Sequence, residues 1–422
     1  QQQQKLILRT MTSLCRIDHL KLQTLLLLLS VLSTSHSLSP ISRNAGFRPN
    51  PATMNLDQDE LQVLKFIDPQ SRRPIILVGC MHYNPESIKR ASTVTKEVAK
   101  SSSSGSLYAL LIESCETRYS EGMAFSKTLE SKPLLKEIYQ KTLNNEMRSA
   151  CLVARDFERP IILGDRLIES TSERMTESFK QTVSDLRNPF DGGWNDISRD
   201  FEASLKVLKY SFGFSGSNDA KEPLGDTETK KDVLMLNPDY FDVKLGIGML
   251  ISFLRYPFSI ALRYPMYAFG LIAFVKLISS SLEIDFGIDG DSAENLVSQT
   301  TDWILTFAFA GLEAIVLARV LIMPVLAERD VILADAIMAV ANGRDVCSSK
   351  EDDGGKLMMV HDGEIMPFSS WLDSQNQTSD EINEISPSKE DNAVVAILGM
   401  AHCNGVRRLI LESSALPKTS KL

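Results

Sequence analysis

Between Leu61 and Asp165 the apolar positions change period several times, and each change marks an element. RRPIILVG (72–79) is a continuous β-prone run behind two arginines and predicts a buried strand. Beyond it, Ile88, Ala91, Val94 and Val98 recur at helical spacing, with Asn84 as N-cap and Pro85 at the first helical position. SSSSGS (101–106) breaks that helix, and LYALLIES (107–114) is a second apolar strand. Over 134–157, Leu135, Ile138, Leu143, Met147 and Ala154 fall on one side of a second helix. ERPIILGD (158–165) then repeats the first run almost letter for letter, and AVVAILGM (393–400) supplies a fourth strand. Strand and helix alternating at this rhythm predict an α/β fold: a mixed, largely parallel sheet flanked by helices.

The middle of the chain departs from that rhythm. The pattern divides the chain into a first α/β part at 61–180, an insertion at 181–326 and a second α/β part at 327–415. Within the insertion, SFGFSGSNDAKEPLGD (211–226) predicts a loose loop. Two strongly apolar runs follow, at 245–282 and 303–326, each long enough to span a bilayer. Arg255, Arg263 and Lys276 interrupt the first run, and Glu313 and Arg319 the second; charges at such depth need partners. A helical, membrane-associated insertion in contact with lipid is the expectation. A buried or amphipathic helical subdomain covering the sheet is the alternative. Residues 346–392, rich in Ser and acidic side chains, predict a mobile loop.

Composition narrows the class. The formal charge of −9, without a basic stripe, excludes a nucleic-acid footprint. Six cysteines without C-x-x-C spacing are too sparse for a disulfide framework. From Met11 onward, scattered basic residues, the apolar TLLLLLSVL and the small residues of STSHS follow the order of a signal peptide. The acid-poor, Ser/Arg-rich stretch behind it makes 1–55 a targeting presequence of the two-part plastid kind. An organelle membrane, with the plastid ahead of the endoplasmic reticulum or another endomembrane, is the expected location.

Candidate chemistry gathers where the strands end. ILVGCMH (76–82) and ILGMAH (397–402) both close on Gly-x-x-His, and they hold two of the chain's five histidines. The second strand ends at Glu113, with Glu116 and Arg118 just after it, and the third at Asp165 and Arg166. In parallel α/β sheets ligands bind beyond the carboxyl ends of the strands. Two imidazoles with one or two carboxylates suit a divalent metal such as Mn, Co or Zn, which would turn a bound water into a nucleophile. Asp165 and Arg166 could instead form a buried ion pair that fixes a loop. Cys80, Cys115 and Cys403 flank these positions as small filler or, alternatively, as thiolate ligands.

Five stretches, in order, resemble the motifs of the TraB/PrgY/GumN family: VGCMHYNPES, LIESCETRY, ILGDRLIESTSER, VLAERDVILADAI and VVAILGMAHCNGV. They cover roughly 70–175 and 325–412 of this chain. The resemblance implies a fold shared with the Tiki proteases, the erythromycin esterases and the haem-uptake protein ChaN. It also implies metal ligation by His82, Glu113 and His402, with Glu116, Arg166 and Arg329 as supporting or substrate-contacting groups. Cys80, Asn84 and Cys115 depart from the usual motif residues, which leaves the ligands intact and the substrate open.

Two functions follow as expectations. One is a metal-dependent hydrolase of the peptidase or amidase kind at an organelle membrane, in which Glu116 serves as general base. The other is a non-catalytic regulatory protein that binds a peptide, haem, a lipid-linked group or another small molecule in the same cleft.

Overall fold

The structure is a computed structural model that describes residues 62–101, 106–131, 145–211, 314–347, 355–381 and 392–413, with scattered positions near 133–137, 245–255, 311–312 and 349. The presequence, the loop at 212–226, most of the first apolar run and the start of the second lie outside the described residues.

The sheet has the order β1 (Val63–Ile67), β2 (Pro74–Cys80), β7 (Ala393–Gly399), β3 (Leu107–Ile112), β4 (Ile161–Leu163), β5 (Met358–His361), β6 (Glu364–Pro367). Its centre is parallel: β2 (Pro74–Cys80), β7 (Ala393–Gly399), β3 (Leu107–Ile112) and β4 (Ile161–Leu163). The last strand in sequence therefore sits between the first two predicted ones. Register aligns the carboxyl ends, with Cys80 beside Gly399, and Ile112 beside both Ile397 and Leu163.

Continuous apolar sequence is what a strand covered on both faces requires. Alternate residues serve the two faces. Ile76, Val78, Leu110, Val395 and Ile397 pack under α1 (Pro85–Lys100) and α3 (Glu146–Asp156), with Ala91, Val94 and Ala150. Ile75, Leu77, Leu111, Ala396 and Leu398 face α6 (Glu328–Ala341) and α8 (Met400–Ser413), through Leu333, Ile337, Val406 and Ile410. Asn84 caps α1 as predicted, its side-chain oxygen accepting from the Glu86 amide at 3.0 Å.

Several elements differ from expectation. An antiparallel strand β1 (Val63–Ile67) covers one edge, and the hairpin β5 (Met358–His361) and β6 (Glu364–Pro367) covers the other. That hairpin and α7 (Phe368–Glu381) correct the mobile loop expected over 346–392. Polar letters hid the fully buried Leu357, Met359 and Phe368, and Phe368 stacks on Trp371 with ring centroids 5.5 Å apart. Of the helix expected at 134–157, the described part is α3, capped by Asn145. Between them, α2 spans Glu116–Glu130.

The helix α4 (Ile168–Arg187) runs through the expected boundary at 180/181 and turns back at Pro189–Gly193 into α5 (Trp194–Ser211). A wide, π-type segment, Leu317–Ala327, packs on both and continues into α6. Arg319, inside the second apolar run, is buried against Asp185 of α4 and Asp200 of α5, at 2.6 and 2.9 Å. Arg319 thus finds its partners within the protein. Among the described residues, no helix is long and apolar enough to cross a membrane.

Candidate functional site

The alignment of parallel strand ends puts the chain between β2 and α1, the end of β3 and the start of α8 side by side. His82 lies in the first of these, Glu113 just past the second and His402 in the third. His402 is not a strand-end residue as expected. β7 stops at Gly399, and His402 occupies the first turn of α8.

Glu113 is buried, and both its oxygens are engaged. Oε1 takes the Arg329 guanidinium at 2.6 Å, and Oε2 accepts the Gly399 amide at 2.5 Å. Burial alone would raise this carboxyl. The positive charges of His402, Arg329 and His82, with the Gly399 N–H, outweigh burial and hold it down at about 2. His402 Nε2 stands 3.6 Å from Glu113 Oε1. That is beyond a hydrogen bond, and close to the ~3.3 Å that separates two ligands of one tetrahedral ion with bonds near 2.0–2.1 Å.

Each histidine is oriented by a buried carboxylate. His402 Nδ1 lies 2.6 Å from Asp330 Oδ1, and His82 Nδ1 lies 2.5 Å from Glu146 Oε1. Nδ1 as the donor leaves Nε2 as the coordinating nitrogen, the arrangement that fixes metal-ligating imidazoles. Glu146 also accepts the Tyr83 amide, at 3.2 Å, so it clamps the His82 loop with both oxygens. Tyr83 has a left-handed backbone (φ 62°), rare for an aromatic residue and a form of strain that gathers at functional sites.

Burial lowers both imidazoles, but neighbouring carboxylates outweigh it, so both are raised: Glu146 at His82, Glu113 and Asp330 at His402. Burial likewise pushes the Asp330 carboxyl up, only partly offset by His402.

The three consecutive residues Glu328, Arg329 and Asp330 each take a different partner, because successive helical side chains point about 100° apart. Glu328 takes Arg166 at 3.0 Å and Arg174 at 3.1 Å. Arg329 takes Asp165 and Glu113, both at 2.6 Å. Asp330 takes His402. Arg166 also donates to Thr171 and to the Pro324 carbonyl, so it braces α6 against α4. The ion pair expected between Asp165 and Arg166 does not form: Asp165 pairs with Arg329 and Arg118, while Arg166 gives it only a backbone amide and pairs with Glu328. Glu116 is the first residue of α2, half-buried, where a carboxylate suits the helix N-terminus. Among the described residues, no three His, Cys, Asp or Glu side chains are grouped closely enough to hold an ion as they stand.

Cys80, Cys115 and Cys403 are buried and free of disulfides, and burial pushes the Cys80 and Cys403 thiols well up. They act as small apolar filler, with Cys403 packed beside Gly79. Glu146 is the functional residue that sequence reasoning missed. An acidic residue after Asn145 is ordinary for a helix start, and nothing local ties it to His82.

The first apolar run begins on this site. Ser252 Oγ donates to the His82 carbonyl, Arg255 donates to the Tyr83 carbonyl at 3.3 Å, and Asn84 Nδ2 donates to the Leu245 carbonyl at 3.1 Å. Comparison with family models, curated proteins and solved structures finds no match to this chain.

Proposed function

We propose that the chain is a metal-dependent hydrolase of the TraB type that its motifs resemble, acting on a peptide or amide bond at an organelle membrane, the plastid first. The observation that carries this reading is the pairing of His402 Nε2 with Glu113 at 3.6 Å, with each histidine's Nδ1 held by a buried carboxylate. A divalent ion such as Mn, Co or Zn would be held by His82, Glu113 and His402, and would supply a bound water acidic enough to attack at neutral pH. His82 would be the third group to hold the ion. Arg329 keeps Glu113 ionised, Asp330 and Glu146 would hold each Nδ1 so that Nε2 faces an ion, and Glu116 would serve as the general base. The presequence and the apolar runs support the location.

One observation favours the second reading, a non-catalytic cleft for a peptide, haem or lipid-linked ligand. Arg329 and the Gly399 amide already satisfy both oxygens of Glu113 without an ion.

Metal analysis of the purified full chain separates the two. The hydrolase reading expects about one equivalent of Mn, Co or Zn, lost in both His82→Ala and His402→Ala, and cleavage of a quenched peptide library that chelation stops. Metal-free protein whose melting ignores all three ions would leave the binding reading.

A further inference from the structure

We infer that the tip of the α4–α5 hairpin, Phe190 and Trp194, is the surface by which the folded domain meets the bilayer; this rests on the membrane location proposed above. Phe190 is 99% exposed and Trp194 58% exposed, both at the turn between the two helices. The turn is built to be tight. Gly192 has φ 97°, and a side chain at Gly193 would come within 3 Å of the Asn188 carbonyl. A rigid turn that presents two bare aromatics costs solubility unless they meet an apolar or interfacial phase.

A third chain end reaches the same place. The segment 314–330 runs antiparallel to α4, since Glu328 pairs with Arg174 near the start of α4 and Arg319 with Asp185 near its end. Two residues before Arg319 on this segment, Leu317 is 49% exposed, and Leu312 is 41% exposed. The sequence just before Gly311 is the apolar WILTFAFA. Exposed aromatic residues are the composition of a membrane–water interface. Arg319 marks the other side of that boundary, being buried among protein carboxylates. The exposed charges on the turn, Arg187 and Asp191, cancel, so the surface fits a zwitterionic bilayer and needs no anionic lipid.

The placement sets a height for the site. α5 runs from Trp194 to the neighbourhood of α8, where the Tyr210 carbonyl accepts from Asn404 and the Arg408 guanidinium covers the Tyr210 ring. At about 1.5 Å per residue, Trp194 lies roughly 24 Å from Tyr210. With the tip at the bilayer, α5 separates it from the α8 end of the site by about that length.

The test uses the full chain with Trp303→Phe and Trp371→Phe, leaving Trp194 as the single tryptophan, mixed with or reconstituted into phosphatidylcholine vesicles. Trp194 emission should shift to the blue in lipid and be quenched more by lipids brominated near the headgroup than by those brominated at the chain end. Phe190→Ser should reduce the quenching by at least twofold; undiminished quenching would mean that Phe190 does not meet the bilayer. A chain that floats with vesicles while Trp194 stays unquenched would overturn the inference and keep the membrane location. A chain that never floats would overturn both. A blue shift without lipid that grows with protein concentration would assign the tip to a second copy of the chain instead.

Discussion

Nδ1 of His402 and Oδ1 of Asp330 lie 2.6 Å apart between α8 and α6, both side chains less than a tenth exposed. The contact decides which ring nitrogen is turned to Glu113. An asparagine at 330 could donate to Nδ1 and so force the proton onto Nε2, the nitrogen a metal needs. Asp330→Asn should weaken metal affinity roughly tenfold to a hundredfold while the fold persists. Competition with a chromophoric chelator measures this. Unchanged affinity would mean that His402 is not a ligand.

Gly405 lies one helical turn from His402, and a methyl group there would overlap the Asp330 carboxylate. Gly399 is less confined: its added Cβ would stand 3.1 Å from Glu113 Oε2 and 3.3 Å from the His402 ring. Alanine in a helix normally gains about 1 kcal/mol over glycine. Gly405→Ala should nevertheless destabilise by about 1–3 kcal/mol and impair metal binding, because Asp330 must leave His402. Gly399→Ala should cost less. Denaturant midpoints of the two variants give the comparison, and a stabilised Gly405→Ala would show that the Asp330–His402 contact is not confined as described.

Arg329 neutralises two buried carboxylates at once, Glu113 and Asp165. Removing a buried charge partner leaves the other charges uncompensated, at about 3–5 kcal/mol. Arg329→Met should lose that much, and Arg329→Met with Asp165→Asn should recover part of it, since one orphan charge is gone. The same chemical denaturation series reads both. Equal stability of the single and double variants would mean that Arg118 alone compensates Asp165.

The sheet was legible because its central strands are buried on both faces. Period and composition then agree over RRPIILVG, LYALLIES, ERPIILGD and AVVAILGM, and all four form strands in the parallel core. The edges were not legible. β1 buries only alternate residues, and β5–β6 are four residues each, too short to carry a period beside an acidic loop. His82, Glu113 and His402 all lie just past strand ends, which parallel strands bring to one edge, although His402 sits on a helix that strand-end reading did not foresee. Glu146 and the pairing of Arg319 with Asp185 and Asp200 could not, since those contacts link positions 64, 134 and 119 residues apart and leave no local spacing. Charge in the second apolar run signalled a need for partners without naming them.

The titrating groups of the cleft set opposite limits on stability. Glu113 is lowered from 4.5 to about 2, so it contributes stability that is present above pH 4.5 and lost as pH falls through 2. His82 and His402 are raised from 6.5. Their contribution is complete below pH 6.5 and is lost as pH rises through their folded values. The metal-free chain should therefore be most stable between about pH 4.5 and pH 6.5 and decline on both sides. A bound ion reverses the alkaline limb, because it requires both imidazoles unprotonated and its affinity grows as protons leave. Melting curves taken in chelator and again with Mn, Co or Zn should thus diverge increasingly above pH 6.5, the ion adding most where the metal-free protein is weakest. His82→Ala and His402→Ala should each flatten the alkaline decline in chelator and abolish the divergence. If the wild-type curves run parallel across that range, the two imidazoles do not share an ion, and the cleft is a binding site organised around the Glu113–Arg329 pair alone.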